Sequence, residues 1–239
     1  PADRYMLIFW NHGGGSTSGV CFDETADYDG LTIHEINDVL YNFTEANPDF
    51  HLDLIGFDAC LMATYEAAAH MQYYADFMVA SEELEPSLGW NYAWLNALGE
   101  NPALDAQGIG VAIADAYMEA CLDENPDDYL SMSVLYLPAM DYLVSTMETY
   151  ASYLSQALDA GQLSTFSRAR QRMYAFGDFD SATSDMVDMM ALIDGTRTIA
   201  PQTADVLQTA YERVVRYNVG TRKFDYLTGM SVYFPSGSY

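Results

Sequence analysis

The chain alternates between compact apolar runs and amphipathic stretches. Tyr5-Met-Leu-Ile-Phe-Trp10 is continuously apolar and ends in Asn11-His12-Gly13-Gly14-Gly15, so it reads as a buried strand feeding a glycine loop. Over 33–46, Ile33, Ile36, Val39, Leu40 and Phe43 recur at helical spacing, and Asn47-Pro48 ends the pattern. A second strand is predicted over 51–57. It leads through Asp58-Ala59-Cys60 into a helix over 61–73, and a third strand follows over 76–81. Helices are predicted over 90–98, 105–121, 138–158 and 200–217, with further strands over 131–136 and 229–234.

Strands that alternate with helices predict a mostly parallel sheet covered on both faces, an α/β/α sandwich. In such sheets reactive groups gather beyond the carboxyl ends of the strands. His12 stands two residues past the first predicted strand and Cys60 three past the second, so both project from one sheet edge if the strands are neighbours.

Composition sharpens this picture. Half of the 239 residues are hydrophobic and 18% are charged, as in an ordered globular chain. No apolar run approaches the roughly 20 residues of a membrane span. The start Pro1-Ala2-Asp3-Arg4 lacks the basic and apolar regions of a signal peptide, so any such signal is expected upstream. Three scattered cysteines, with no CxxC pair, form neither a disulfide framework nor a zinc site. Of the 35 acidic residues, 26 lie between Tyr5 and Ser167, a span without Lys or Arg. Such a field repels nucleic acid and anionic membranes; it suits a secreted protein and attracts Ca²⁺ or basic peptides.

Cys60 and His12 carry the clearest candidate chemistry. A nucleophilic cysteine needs thiolate character and a nearby acid or base. At a strand-to-helix junction the helix N-terminus would favour the thiolate, and His12 can protonate a leaving amine. The N–H groups of Gly13 and Cys60 are candidate donors to a developing oxyanion. The competing readings are a buried structural cysteine and a loop histidine. Cys21 lies between Val20 and Phe22 with no helix start after it, Cys121 falls inside a predicted helix, and His34, His51 and His70 share no metal-ligand spacing.

Several segments, in order, resemble the clostripain-like cysteine peptidases, relatives of caspases, legumain and gingipains. They are Arg4-Tyr-Met-Leu-Ile-Phe-Trp-Asn-His-Gly-Gly-Gly15, Asp58-Ala-Cys-Leu-Met62, and Ala80-Ser-Glu-Glu-Leu-Glu-Pro86 followed by Gly89-Trp90. Ser184-Asp-Met-Val-Asp-Met-Met190 and Gly229-Met-Ser-Val-Tyr-Phe-Pro235 add to the set, so the resemblance spans nearly the whole chain.

This resemblance implies a caspase-like fold over 1–239 as a single peptidase domain, lacking an N-terminal segment and with a helical addition from about residue 138. It implies a secreted or cell-surface endopeptidase that cuts after Arg or Lys, with His12 and Cys60 as the dyad. Asp58 matches the family aspartate of the pocket for the basic side chain, with Glu82 and Glu83 of the acidic loop as further substrate-binding candidates. Asp58 could instead cap the helix predicted after Cys60. No cofactor is required; calcium dependence occurs in the family, and the acidity permits it, but no EF-hand pattern is present. The chain departs from the family in three places: the family's N-terminal segment with a strand before the His-Gly strand is not in this sequence, no Lys or Arg lies between His12 and Cys60, and Ser87-Leu88-Gly89 contains no acid. The alternative is a catalytically silent protein of the same fold whose acidic face binds basic partners.

Overall fold

The structure is a computed structural model that describes residues 2–177, 184–221 and 227–236. It begins with β1 (Met6–Trp10), a short α1 (Gly15–Ser18), a hairpin of β2 (Val20–Asp23) and β3 (Asp29–Leu31), and α2 (Ile33–Ala46). Next come β4 (Leu52–Asp58), α3 (Tyr65–Met71), β5 (Ala75–Ala80), α4 (Leu95–Glu100), α5 (Ala106–Glu124) and β6 (Ser131–Tyr136). The remainder is α6 (Met140–Asp159), α7 (Leu163–Arg170), β7 (Met186–Asp188), α8 (Met189–Thr196), α9 (Pro201–Val214), β8 (Val215–Gly220) and β9 (Ser231–Tyr233).

A five-stranded sheet of order β1-β4-β5-β6-β8 organises the molecule. β1, β4 and β5 pair in parallel; β6 runs antiparallel to both β5 and β8, so four of the five strands point the same way. The apolar runs of the central strands serve both faces at once. Ile55, Phe57, Met78, Ala80 and Leu135 join α2, α3, α6 and α9 on one side. Leu54, Val79, Met132 and Val134 meet α5 and Trp90 and Trp94 on the other. The result is the expected α/β/α sandwich with a mostly parallel sheet.

Local signals explain the best-defined helix. Thr32 and Glu35 form a reciprocal capping box at the start of α2, an arrangement that contributes about 1 kcal/mol. Ile33, Ile36 and Leu40 are buried, but Val39 and Phe43 of the predicted stripe are exposed, so the apolar face is narrower than the sequence suggests.

Three expectations need correction. The helix predicted from residue 61 begins at Tyr65, because Thr64 supplies the N-cap by accepting from the Ala67 N–H. The helix predicted over 200–217 stops at Val214, and its last residues open β8. The strand near 229–234 pairs with β7 in a separate two-stranded sheet and does not enter the central one.

Candidate active site

Parallel pairing puts Trp10 of β1 opposite Asp58 of β4, so the two strands end at the same level. His12 and Cys60 each lie two residues beyond, and both line one open cavity of about 320 Å³. Trp10, Asn11, Asp58, Ala59, Glu85, Pro86, Ser87 and Gly89 complete the lining.

The main chains that carry the pair are in direct contact. A Cβ on Gly13 would stand 2.2 Å from the Cys60 carbonyl oxygen, so only glycine permits this approach. His12 is exposed, and its Nε2 lies 3.7 Å from Glu24 Oε1 in the turn between β2 and β3. Cys60 is half-buried and accepts the Glu85 N–H on Sγ at 3.2 Å. Burial pushes the Cys60 thiol up and the Glu85 carboxylate adds to this, while the N–H groups of Glu85, Cys60 and Gly13 favour the thiolate. The helix N-terminus predicted behind Cys60 is absent: Leu61 turns through a left-handed φ of 67°, and α3 starts four residues further on. Backbone N–H groups stand in for it. The N–H groups of both candidate oxyanion residues, Gly13 and Cys60, therefore lie at the Cys60 sulfur.

Asp58 is buried as the last residue of β4. Its Oδ1 accepts the Trp90 N–H at 2.9 Å and its Oδ2 accepts the Tyr92 hydroxyl at 3.1 Å. Burial pushes this carboxyl up and those two hydrogen bonds hold it down. Asp58 does not cap a helix. Gly89, at φ 63°, brings the loop so close that a Cβ there would stand 2.9 Å from Asp58 Oδ1.

The acidic loop divides its carboxyls. Glu82 is fully buried, and its Oε2 accepts the Gly229 N–H at 2.9 Å. Glu83 Oε1 accepts the Leu84 and Gly177 N–H groups, and Oε2 accepts the Tyr174 hydroxyl, each at 2.9 Å. Neither lines the cavity, which corrects their expected place at the substrate: each is consumed by tying this loop to a neighbouring one. Glu85 is the loop acid that faces the cavity. Tyr92, Glu24 and the isolated placement of Glu85 carried no sequence signal, since an irregular loop has no periodicity to show which way its side chains face.

The other cysteines lie elsewhere. Cys21 on β2 approaches the Trp10 carbonyl, and burial raises its thiol. Cys121 is buried in α5, where desolvation drives it up to about 11. Among the described residues no group of three or more His, Cys, Asp or Glu side chains converges as a metal site, and no helix is long and apolar enough to cross a membrane.

A mostly parallel sandwich with a cysteine and a histidine at the carboxyl edge of adjacent strands defines the caspase-like class of α/β proteins. The chain belongs to the clostripain family, whose model matches residues 1–237. It is 35% identical over 109 residues to clostripain from Hathewaya histolytica, a match covering 38% of this chain and 20% of that protein's length. The fold is similar to a secreted C11 cysteine protease from Bacteroides thetaiotaomicron in complex with an irreversible peptide inhibitor. That likeness has a TM-score of 0.72 at 19% identity and covers 100% of this chain and 68% of the other. It is also similar to an inactive zymogen C11 protease from Parabacteroides distasonis, with a TM-score of 0.65 at 19% identity, covering 98% of this chain and 65% of the other.

Proposed function

We propose that the chain is a secreted cysteine endopeptidase that hydrolyses peptide bonds after Arg or Lys. The observation that carries this reading is that His12, Cys60, Asp58 and Glu85 line one cavity. The Cys60 thiol passes its proton to His12 and the sulfur attacks the scissile carbonyl carbon, the N–H groups of Gly13 and Cys60 receive the oxyanion, and His12 gives that proton to the leaving amine as the C–N bond breaks. The thioester is then hydrolysed by water, with His12 taking the proton as base. These steps balance on the chain's own groups and water. The buried Asp58 gives a substrate guanidinium or ammonium an anion in a site that is otherwise costly to a charge.

Cleavage of a positional peptide library, with Cys60→Ala as control, tests this directly. Cuts confined to bonds after Arg and Lys, absent from the control, are the expected result. Cuts after other residues overturn the specificity. Absence of any cut, together with failure of an electrophile bearing a basic side chain to label Cys60, supports a silent binding protein instead.

A further inference from the structure

Glu85 is an anomaly in the interior. Both of its carboxyl oxygens are out of contact with solvent and neither has a hydrogen-bond partner among the described residues. Ser81 Oγ, Trp90 Nε1 and the Ala59 N–H face the carboxyl and hold it down, yet none closes a well-formed bond to it: Ser81 Oγ is engaged by the Glu83 carbonyl, and Trp90 Nε1 is itself unpartnered. Leaving a buried carboxyl unpaired is among the most costly arrangements in a folded chain. No Lys or Arg occurs anywhere between residues 5 and 167 to relieve it.

The groups whose charge couples to Glu85 include Asp58 and Cys60 beside it, Tyr92 behind Asp58, and Tyr117 and Cys121 on α5, while His12 lines the same cavity. Burial first, and the Asp58 charge second, hold the Glu85 carboxyl well above the usual carboxylate range. Both influences favour the neutral form of this carboxyl. Asp58, by contrast, has both oxygens hydrogen-bonded. Of the two acids lining the cavity, only Glu85 has its full bonding capacity unspent.

We propose that Glu85 is a specificity-determining residue whose carboxyl exchanges its proton for the cationic end of the substrate side chain. This deepens, and rests on, the reading of the cavity as the pocket for Arg or Lys. The exchange balances: the neutral carboxyl and the bound cation give a carboxylate–cation pair, and one proton passes to solvent. The pocket thus suits a basic side chain and offers a neutral one of the same shape no exchange. The main-chain N–H of Glu85 stays on Cys60 Sγ throughout, so a change to the side chain alone leaves the nucleophile's hydrogen bond in place.

The test is calorimetric titration of the intact protein near neutral pH with n-butylguanidinium, and with neutral n-butylurea, in buffers of different ionisation enthalpy. We expect about one proton to be released per guanidinium bound and none with the urea. In Glu85→Gln the release should vanish and affinity should fall about tenfold or more. Asp58→Asn should weaken binding while keeping the release. In the unaltered protein, affinity for the guanidinium should strengthen as pH rises, a result that needs no variant to fold. Binding without proton release, or release that persists in Glu85→Gln, overturns the role of Glu85 alone. Failure of the guanidinium to bind at all overturns the basic-pocket reading and this inference with it.

Discussion

Glu24 Oε1 stands 3.7 Å from His12 Nε2, across the turn that joins β2 to β3, and both side chains are about two-thirds exposed, at 65% and 68%. The contact engages Nε2 and so turns the other ring nitrogen away from Glu24. An exposed pair of this kind is worth at most about 1 kcal/mol and is screened by salt. Glu24→Gln should therefore lower kcat/KM by no more than about fivefold at low ionic strength, with the difference fading as salt is added. A much larger, salt-independent loss would make Glu24 a required partner of the histidine.

The dyad makes a sharper demand. Cys60→Ala should abolish hydrolysis, whereas Cys21→Ala and Cys121→Ala should retain most of it, because neither sulfur lines the cavity. His12→Ala should cost on the order of 10²–10⁴ in rate. Steady-state assays on a single Arg peptide decide the point, and activity surviving in Cys60→Ala would refute the peptidase reading.

Asp58→Asn keeps size and removes charge. It should reduce kcat/KM on an Arg peptide by about 10²-fold, equivalent to roughly 3 kcal/mol, and affect the matched norleucine peptide much less. An unchanged Arg-to-norleucine ratio would confine Asp58 to holding the Trp90 N–H and the Tyr92 hydroxyl.

Because residues 5–167 contain no Lys or Arg, an enzyme of the proposed specificity cannot cut itself within that span. Mass spectrometry of the incubated protein should show none of these cuts. A cut there that disappears in Cys60→Ala would be incompatible with a basic preference.

Stability should fall as pH rises. Burial lifts the carboxyls of Glu82, Glu66 and Asp188 above their ordinary values, most strongly for Glu82, where Asp188 adds to the effect. A carboxyl with a raised folded-state pKa holds its proton after the unfolded chain has released its own. The folded state therefore loses ground as pH climbs above the ordinary glutamate value of 4.5 toward the raised value of folded Glu82. Melting temperature should be higher near about pH 5 than near about pH 8, at about 2–4 °C per kcal/mol. Glu82→Gln, which still accepts the Gly229 N–H, should flatten that slope; an unaltered slope would exclude Glu82 as its source.

Much of the architecture was legible in local pattern. The run 5–10 and the run through Phe57 are apolar on both faces, and only a strand buried between two helical layers uses such a sequence, so β1, β4 and the sandwich followed. His12 and Cys60 were placed by chain position alone, because residues just past neighbouring parallel strands must emerge at one edge. Gly13 could be read as a glycine of use near Cys60, although not that its lack of a Cβ is what lets the two main chains touch.

Other features had no local signature. Val215–Gly220 continues the amphipathic pattern of α9, and it becomes a strand because the edge of β6 offers it backbone partners that a helix end lacks. Glu82, Glu83 and Glu85 are chemically alike in the sequence. What separates them is which N–H groups other loops bring: Gly229 claims Glu82, Gly177 claims Glu83, and nothing among the described residues claims Glu85. Residue type and spacing determined the sheet, its reactive edge and the identity of the candidate dyad, since those depend on burial and periodicity along the chain. Which carboxyl stays unpaired was decided only by tertiary contacts, because hydrogen-bond partners brought from 94 and 147 residues away leave no trace in the local sequence.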